Sequence, residues 1–176
     1  MSKSPNSDYV QYVASVLAFF GRDLEKSALH GDRALELNPN NALVLNGRGL
    51  LYGFTGQPEK GIALIEKAIR VDPAFRSQYM HFLGLICFVA ERYEETVQWT
   101  LERLKSYPES DLSRGVLVSA LVHMGRNNEA AGYCAELLSI NPDYSPVEHS
   151  ERLPFEKQEQ RQQFLNGFTL AGIILK

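Results

Sequence analysis

Glu36-Leu37-Asn38-Pro39-Asn40-Asn41 closes one stretch of helical periodicity and opens the next, and Ser139-Ile140-Asn141-Pro142-Asp143 repeats that punctuation near the other end of the chain. A proline blocks the preceding helical turn with its ring and has no N–H to donate, so each of these segments marks a helix boundary. Pro73 and Pro108 complete the series, and the intervals from Pro39 to Pro73, Pro108 and Pro142 are 34, 35 and 34 residues. A fixed period of that length signals stacked repeats. About halfway through three of the periods stand Gly21, Gly56 and Gly125, residues free to adopt the positive φ of a tight turn. Each period is therefore predicted to be two helices. The third has Glu91-Arg92 where glycine is expected. Pro58 suits a first-turn position and Asn127 a cap, with Glu59 and Glu129 near the positive helix ends.

Counting back from the prolines places repeats at 8–41, 42–76, 77–110 and 111–144, after a polar start, 1–7, expected to be disordered, and before a C-terminal segment, 145–176. This pattern resembles the tetratricopeptide repeat. In the second repeat Gly49, Tyr52, Gly56, Ala68 and Pro73 fall at repeat positions 8, 11, 15, 27 and 32. The third keeps Leu83, Gly84 and Pro108, the fourth Leu117, Gly125, Ala130 and Pro142, and the first only Ala34 and Pro39. Arg48 and Arg114 depart from the pattern, standing where the family carries large apolar groups. The resemblance implies an all-α fold, a right-handed superhelical solenoid of about four helix pairs plus C-terminal capping helices. One helix pair cannot bury its own apolar face, so the pairs must stack and the ends need cover.

The cover is sought in the tail. Ser145-Pro146-Val147-Glu148 has the cap, first-turn proline and acid that start a helix, and Pro154 restarts the chain. Beyond it, Phe155, Phe164, Leu165 and Phe168 form an apolar side opposite Lys157, Gln158, Gln160, Arg161 and Gln162. That amphipathic helix is expected to cover the last repeat. Leu153-Pro154-Phe155, Phe164-Leu165-Asn166-Gly167-Phe168 and Ala171-Gly172 also resemble the end of the tetratricopeptide region at the C-terminus of many bacterial class III adenylate cyclases and related transcriptional regulators. This resemblance implies a sensory or partner-docking module and no cyclase activity, since these 176 residues contain none of the catalytic domain.

Composition narrows the function. With 18 Lys+Arg, 21 Asp+Glu, a net charge of −3 and 44% hydrophobic residues, the 176-residue chain is a globular domain or a short array. It offers no cationic field for nucleic acid or an anionic membrane. Its apolar stretches are too short to span a bilayer, and the N-terminus lacks the pattern of a secretory signal, so a cytoplasmic protein is expected. Cys87 and Cys134 match no metal or redox spacing and read as core residues in a reducing compartment. His30, His81, His123 and His149 lack metal-site spacing, and Gly47-Arg48-Gly49 lies inside a helical pattern rather than a phosphate loop. No cofactor, metal or catalytic constellation is expected, and Trp99 reads as packing.

In the family resembled, the first helix of each pair lines a concave groove. Carried onto this sequence, the groove positions include Tyr12, Val16, Asn46, Leu50, His81, Leu85, Phe88, Ser119 and His123. Such a surface suits the apolar side of a partner peptide or helix, with Leu50, Leu85 and Phe88 as central anchors and Asn46, His81 and Ser119 as orienting polar points. The Lys, Arg and Asn clamp that grips peptide carboxylates in chaperone-binding relatives is missing. Three alternatives stay open: the tail helix fills the groove, the aromatic section around Tyr9, Tyr12, Phe19 and Phe20 holds a small regulatory ligand, or the apolar ends mediate homodimerisation.

Overall fold

The computed structural model describes residues 7–155 and 157–170. Four helix pairs follow one another: α1 (Asp8–Phe20) with α2 (Leu24–Leu37), α3 (Ala42–Phe54) with α4 (Pro58–Val71), α5 (Arg76–Val89) with α6 (Tyr93–Ser106), and α7 (Asp111–His123) with α8 (Asn127–Ile140). A short α9 (Pro146–Arg152) and α10 (Gln158–Leu170) complete the chain, and no strand occurs among the described residues. The expected disorder of 1–6 and the Ala171-Gly172 part of the tail lie outside the described residues.

The helix starts follow from local chemistry. Ser7, Asp23, Asn41, Ser110 and Ser145 each accept a bond from a backbone N–H two or three residues on, satisfying donors the first turn leaves free. Pro58 opens α4 as expected. Asn127 is not the cap of α8. Arg126 holds that place and ties the first turn through its guanidinium to Glu129, 2.6 Å away.

The turns correct the sequence expectation by one residue in the first repeat. Positive φ occurs at Arg22, Gly56, Glu91 and Gly125, each 17 residues before a boundary proline. Gly21 has φ −76° and serves as the C-cap of α1. Geometry, not glycine, is what repeats, and Arg22 and Glu91 hold the left-handed conformation that costs a side chain about 1 kcal/mol.

Helices α1, α3, α5 and α7 contact one another along one layer, with α2, α4, α6 and α8 behind. A core including Leu45, Ile65, Leu83, Ile86, Leu117, Leu121 and Leu137, all buried, runs between the layers. Glycine decides the closest approach: a Cβ on Gly61 would lie 2.4 Å from the carbonyl oxygen of Gly49. The two discordant arginines are accommodated by neighbours. Arg48 pairs with Asp32 at 2.6 Å and lies over the Tyr52 ring at 4.4 Å, its stem resting where Gly31 has no Cβ. Arg114 pairs with Glu136 at 3.2 Å and donates to the Pro108 carbonyl. Trp99 packs on the core with Arg76 over its ring, as a packing residue should.

Helix α10 covers the last repeat by packing on α7, on the inner layer, so that α9 and α10 lie on the groove side, as in the alternative of a tail-filled groove.

Candidate peptide-binding groove

The inner face is split in two by this tail. On α5 and α7 the split begins with Phe88, 1% exposed, whose ring meets Phe164 edge-on at 6.0 Å. Ser119 Oγ donates to the Phe164 carbonyl at 3.0 Å, and His123 Nε2 donates to the Gln163 carbonyl at 2.8 Å while its ring stacks on Tyr93. The side-chain amide of Gln163 reaches the Tyr93 hydroxyl. Phe88, Ser119 and His123, expected to line the groove, are therefore covered by the chain's own helix. The physical reason is the apolar side of α10: Phe164 and Phe168 are fully buried there, against α7.

The remaining six expected residues come together. Tyr12 and Val16 from α1, Asn46 and Leu50 from α3, and His81 and Leu85 from α5 line one cavity of about 310 Å³. Phe19, Phe20, Phe54 and Phe82 add aromatic wall. The roof comes from α9 and its end, His149, Arg152 and Leu153, which sequence reasoning missed. The start of α9 was legible in Ser145-Pro146; the direction it takes was not. Two contacts hold this strap across the first two repeats: Arg22 Nη2 donates to the Glu151 carbonyl at 2.5 Å, and Phe155 meets Phe54 edge-on at 5.4 Å.

Electrostatically the cavity is close to neutral. Burial, aided by the Arg103 charge and opposed by Asp111, pushes the His81 pKa down to about 4, and His81 Nδ1 shares a 2.9 Å hydrogen bond with Ser113 Oγ. Burial pushes His149 further, to about 3, with Nδ1 bonded to the Tyr144 hydroxyl at 2.5 Å. Both imidazoles are uncharged near neutral pH. Arg152 at the edge is the one permanent charge in the lining, and the lining contains no carboxylate. Asn46 is 6% exposed, and its Oδ1 has no hydrogen-bond partner. Among the described residues no cluster of His, Cys, Asp and Glu could hold a metal ion, and no helix is long and apolar enough to cross a membrane.

Residues 30–63, from within α2 into α4, match the family model of the tetratricopeptide repeat. Solved structures agree along nearly the whole chain. The type IV pilus biogenesis factor PilW superposes with a TM-score of 0.76 at 16% identity, over 96% of this chain and 75% of that one. The fold is a tetratricopeptide-repeat solenoid. YrrB, a tetratricopeptide-repeat protein described as having an unusual peptide-binding site, shares this solenoid with a TM-score of 0.65 at 18% identity, over 96% of this chain and 87% of its own. In sequence the solenoid is 30% identical over 88 residues to small glutamine-rich tetratricopeptide repeat-containing protein 2 of Mycosarcoma maydis, a match covering 49% of this chain. It spans about a quarter of that relative's length.

Proposed function

We propose that this solenoid is a non-catalytic protein-interaction module that binds the apolar side of a peptide or amphipathic helix on the N-terminal half of its inner face. The observation that carries this reading is the apolar cavity where Tyr12, Val16, Leu50 and Leu85 converge. Its wall continues outward into Phe20, 70% exposed. An apolar surface of that kind, left uncovered beside a strap that covers the rest, is characteristic of a recognition site. The chain supplies its own precedent: α10 lies on α7 by burying Phe164 and Phe168, so the same inner layer already receives one amphipathic helix. The peptide-binding site in the description of YrrB supports the same use of the fold. A regulatory setting in the cytoplasm, as the cyclase-like tail suggests, fits a module whose task is docking.

The test is a displayed library of amphipathic peptides selected against the full chain, followed by affinity measurements on variants. Leu50→Glu, with Leu50→Ala as the milder change, should weaken the selected peptides by about 1 to 3 kcal/mol. Leu138→Glu, on the exposed surface of α8, should leave them unchanged. Binders indifferent to both Leu50 variants, with the fold retained, would remove this reading.

A further inference from the structure

We infer that this chain associates with a second copy of itself through α1, the two helices lying antiparallel across a two-fold axis. The surface borders the cavity without depending on the peptide-binding reading: Val16 and Phe20 also line the cavity, whereas Val13 and Leu17 do not.

Helix α1 is inverted in polarity. Its polar residues Gln11 and Ser15 face the protein: Gln11 Oε1 shares a 2.7 Å hydrogen bond with His30 Nδ1, and Ser15, buried, donates to the Ser27 carbonyl at 2.8 Å. Tyr9, Val13, Leu17 and Phe20 are exposed instead, Leu17 at 69%. No charged residue stands between Tyr9 and Gly21, and Asp8, which opens the helix, is engaged by Asn38 and Asn41. The end helix of a stack needs a polar outer side to face water. An apolar one is a surface to be covered.

The spacing of that surface identifies what covers it. Tyr9, Val13, Val16 and Phe20 follow one another at intervals of 4, 3 and 4, the spacing of helices that pack side by side at a shallow angle. The series reads the same from either end, aromatic, valine, valine, aromatic. Laid antiparallel, Phe20 of one copy meets Tyr9 of the other and Val16 meets Val13, ring beside ring and aliphatic beside aliphatic. An isologous contact requires this self-complementarity, and the reversed alignment also sets the positive end of each helix dipole beside the negative end of the other. A membrane surface is a poorer match, because helices that lie on anionic lipid carry Lys or Arg and α1 has neither. Two 13-residue helices, each about 20 Å long, make a contact at or below the roughly 1,200 Å² of the smallest stable interfaces. The pair is therefore reversible and forms at high micromolar concentration.

Sedimentation equilibrium of the full chain, from micromolar to near-millimolar concentration, tests this. A monomer–dimer equilibrium is expected. Leu17→Glu and Val13→Lys, both on the exposed side, should keep the helical circular dichroism of the parent and each weaken the dimer by at least roughly tenfold, because a charge is placed against an apolar neighbour. Mixed in equal amounts, the two variants should associate again, since the antiparallel register brings position 17 of one copy beside position 13 of the other. A wild-type chain that stays monomeric over the whole range overturns the inference, as does a dimer indifferent to both variants with the fold retained. A mixture that stays monomeric overturns the antiparallel pairing, and Leu17→Ser repeats the test without a charge if Leu17→Glu does not fold. Leu50→Ala should leave the dimer unchanged, so the groove reading and this one fail separately.

Discussion

Gly167 of α10 meets Ser119 of α7 so closely that a Cβ on Gly167 would stand 2.5 Å from the Ser119 Cα. Glycine inside a helix costs roughly 0.5 to 1 kcal/mol relative to alanine, and here the cost accompanies a contact that brings the Phe164 carbonyl within 3.0 Å of Ser119 Oγ. Gly167→Val should therefore lift α10 from its seat and destabilise the protein by about 1 to 3 kcal/mol. With Phe88 and Phe164 uncovered, binding of an apolar fluorescent dye should rise and hydrogen exchange along α10 should accelerate. Unchanged exchange in a folded variant would mean that α10 is not held at this contact.

Two other glycines separate propensity from packing. Gly132 lies inside α8 with nothing within 4 Å of where its Cβ would go, whereas a Cβ on Gly61 would strike the Gly49 carbonyl. Gly132→Ala should stabilise by about 0.5 to 1 kcal/mol. Gly61→Ala should destabilise by about 1 to 3 kcal/mol, because backbone must move. Urea unfolding of the pair checks both, and equal shifts of the same sign would contradict the close α3–α4 approach.

Acid should weaken the fold through its buried imidazoles. His149, 4% exposed against Tyr144, has its pKa held at about 3 by burial, with His81 and Arg152 adding to the depression and Asp111 opposing it. An unfolded histidine takes its proton near the ordinary value of about 6.5. The neutral form favoured in the fold thus contributes fully above that pH, and its contribution declines as pH falls from there towards about 3. His81 acts in the same direction down to about 4. Stability should drop by up to roughly 1.4 kcal/mol per pH unit for each histidine in this window. His149→Gln should flatten the curve between pH 6.5 and about 5, before carboxylates titrate; a wild-type curve already flat there would contradict the buried neutral state.

The helix pairs were legible because a proline and a turn residue recur at one spacing, and that punctuation is local. Gly21 misled by one position because glycine permits a positive φ without imposing it, and Arg22 takes it. Six of the nine groove residues gather in one cavity, since helical periodicity determines which side of a helix they occupy. That Phe88, Ser119 and His123 lie under the tail helix was left open in the sequence for a nonlocal reason: an amphipathic pattern at Phe164, Leu165 and Phe168 says that α10 must bury one side, not against which helix. The ion pairs of Arg48 and Arg114 were hidden likewise, because their partners Asp32 and Glu136 lie on other helices.

Glu91 gives a direct test of the repeated turn. It holds φ 60° on the surface with its side chain exposed, so Glu91→Gly should relieve left-handed strain and stabilise by about 1 kcal/mol. Thermal unfolding reads this, and a destabilised variant would show that the side chain contributes something the geometry does not reveal.

Asn46 tests whether a buried amide serves the fold. A residue kept for the fold makes the fold worse when replaced, yet Asn46 Oδ1 is buried and unpaired. Asn46→Leu, of similar size, removes that orphaned acceptor and adds apolar contact with the cavity wall, and should raise stability by about 1 kcal/mol or more. A gain of that size in urea unfolding would mark the Asn46 amide as a group the fold does not need. A loss of stability instead would assign its amide a structural partner, such as a buried water, and make the cavity part of the core.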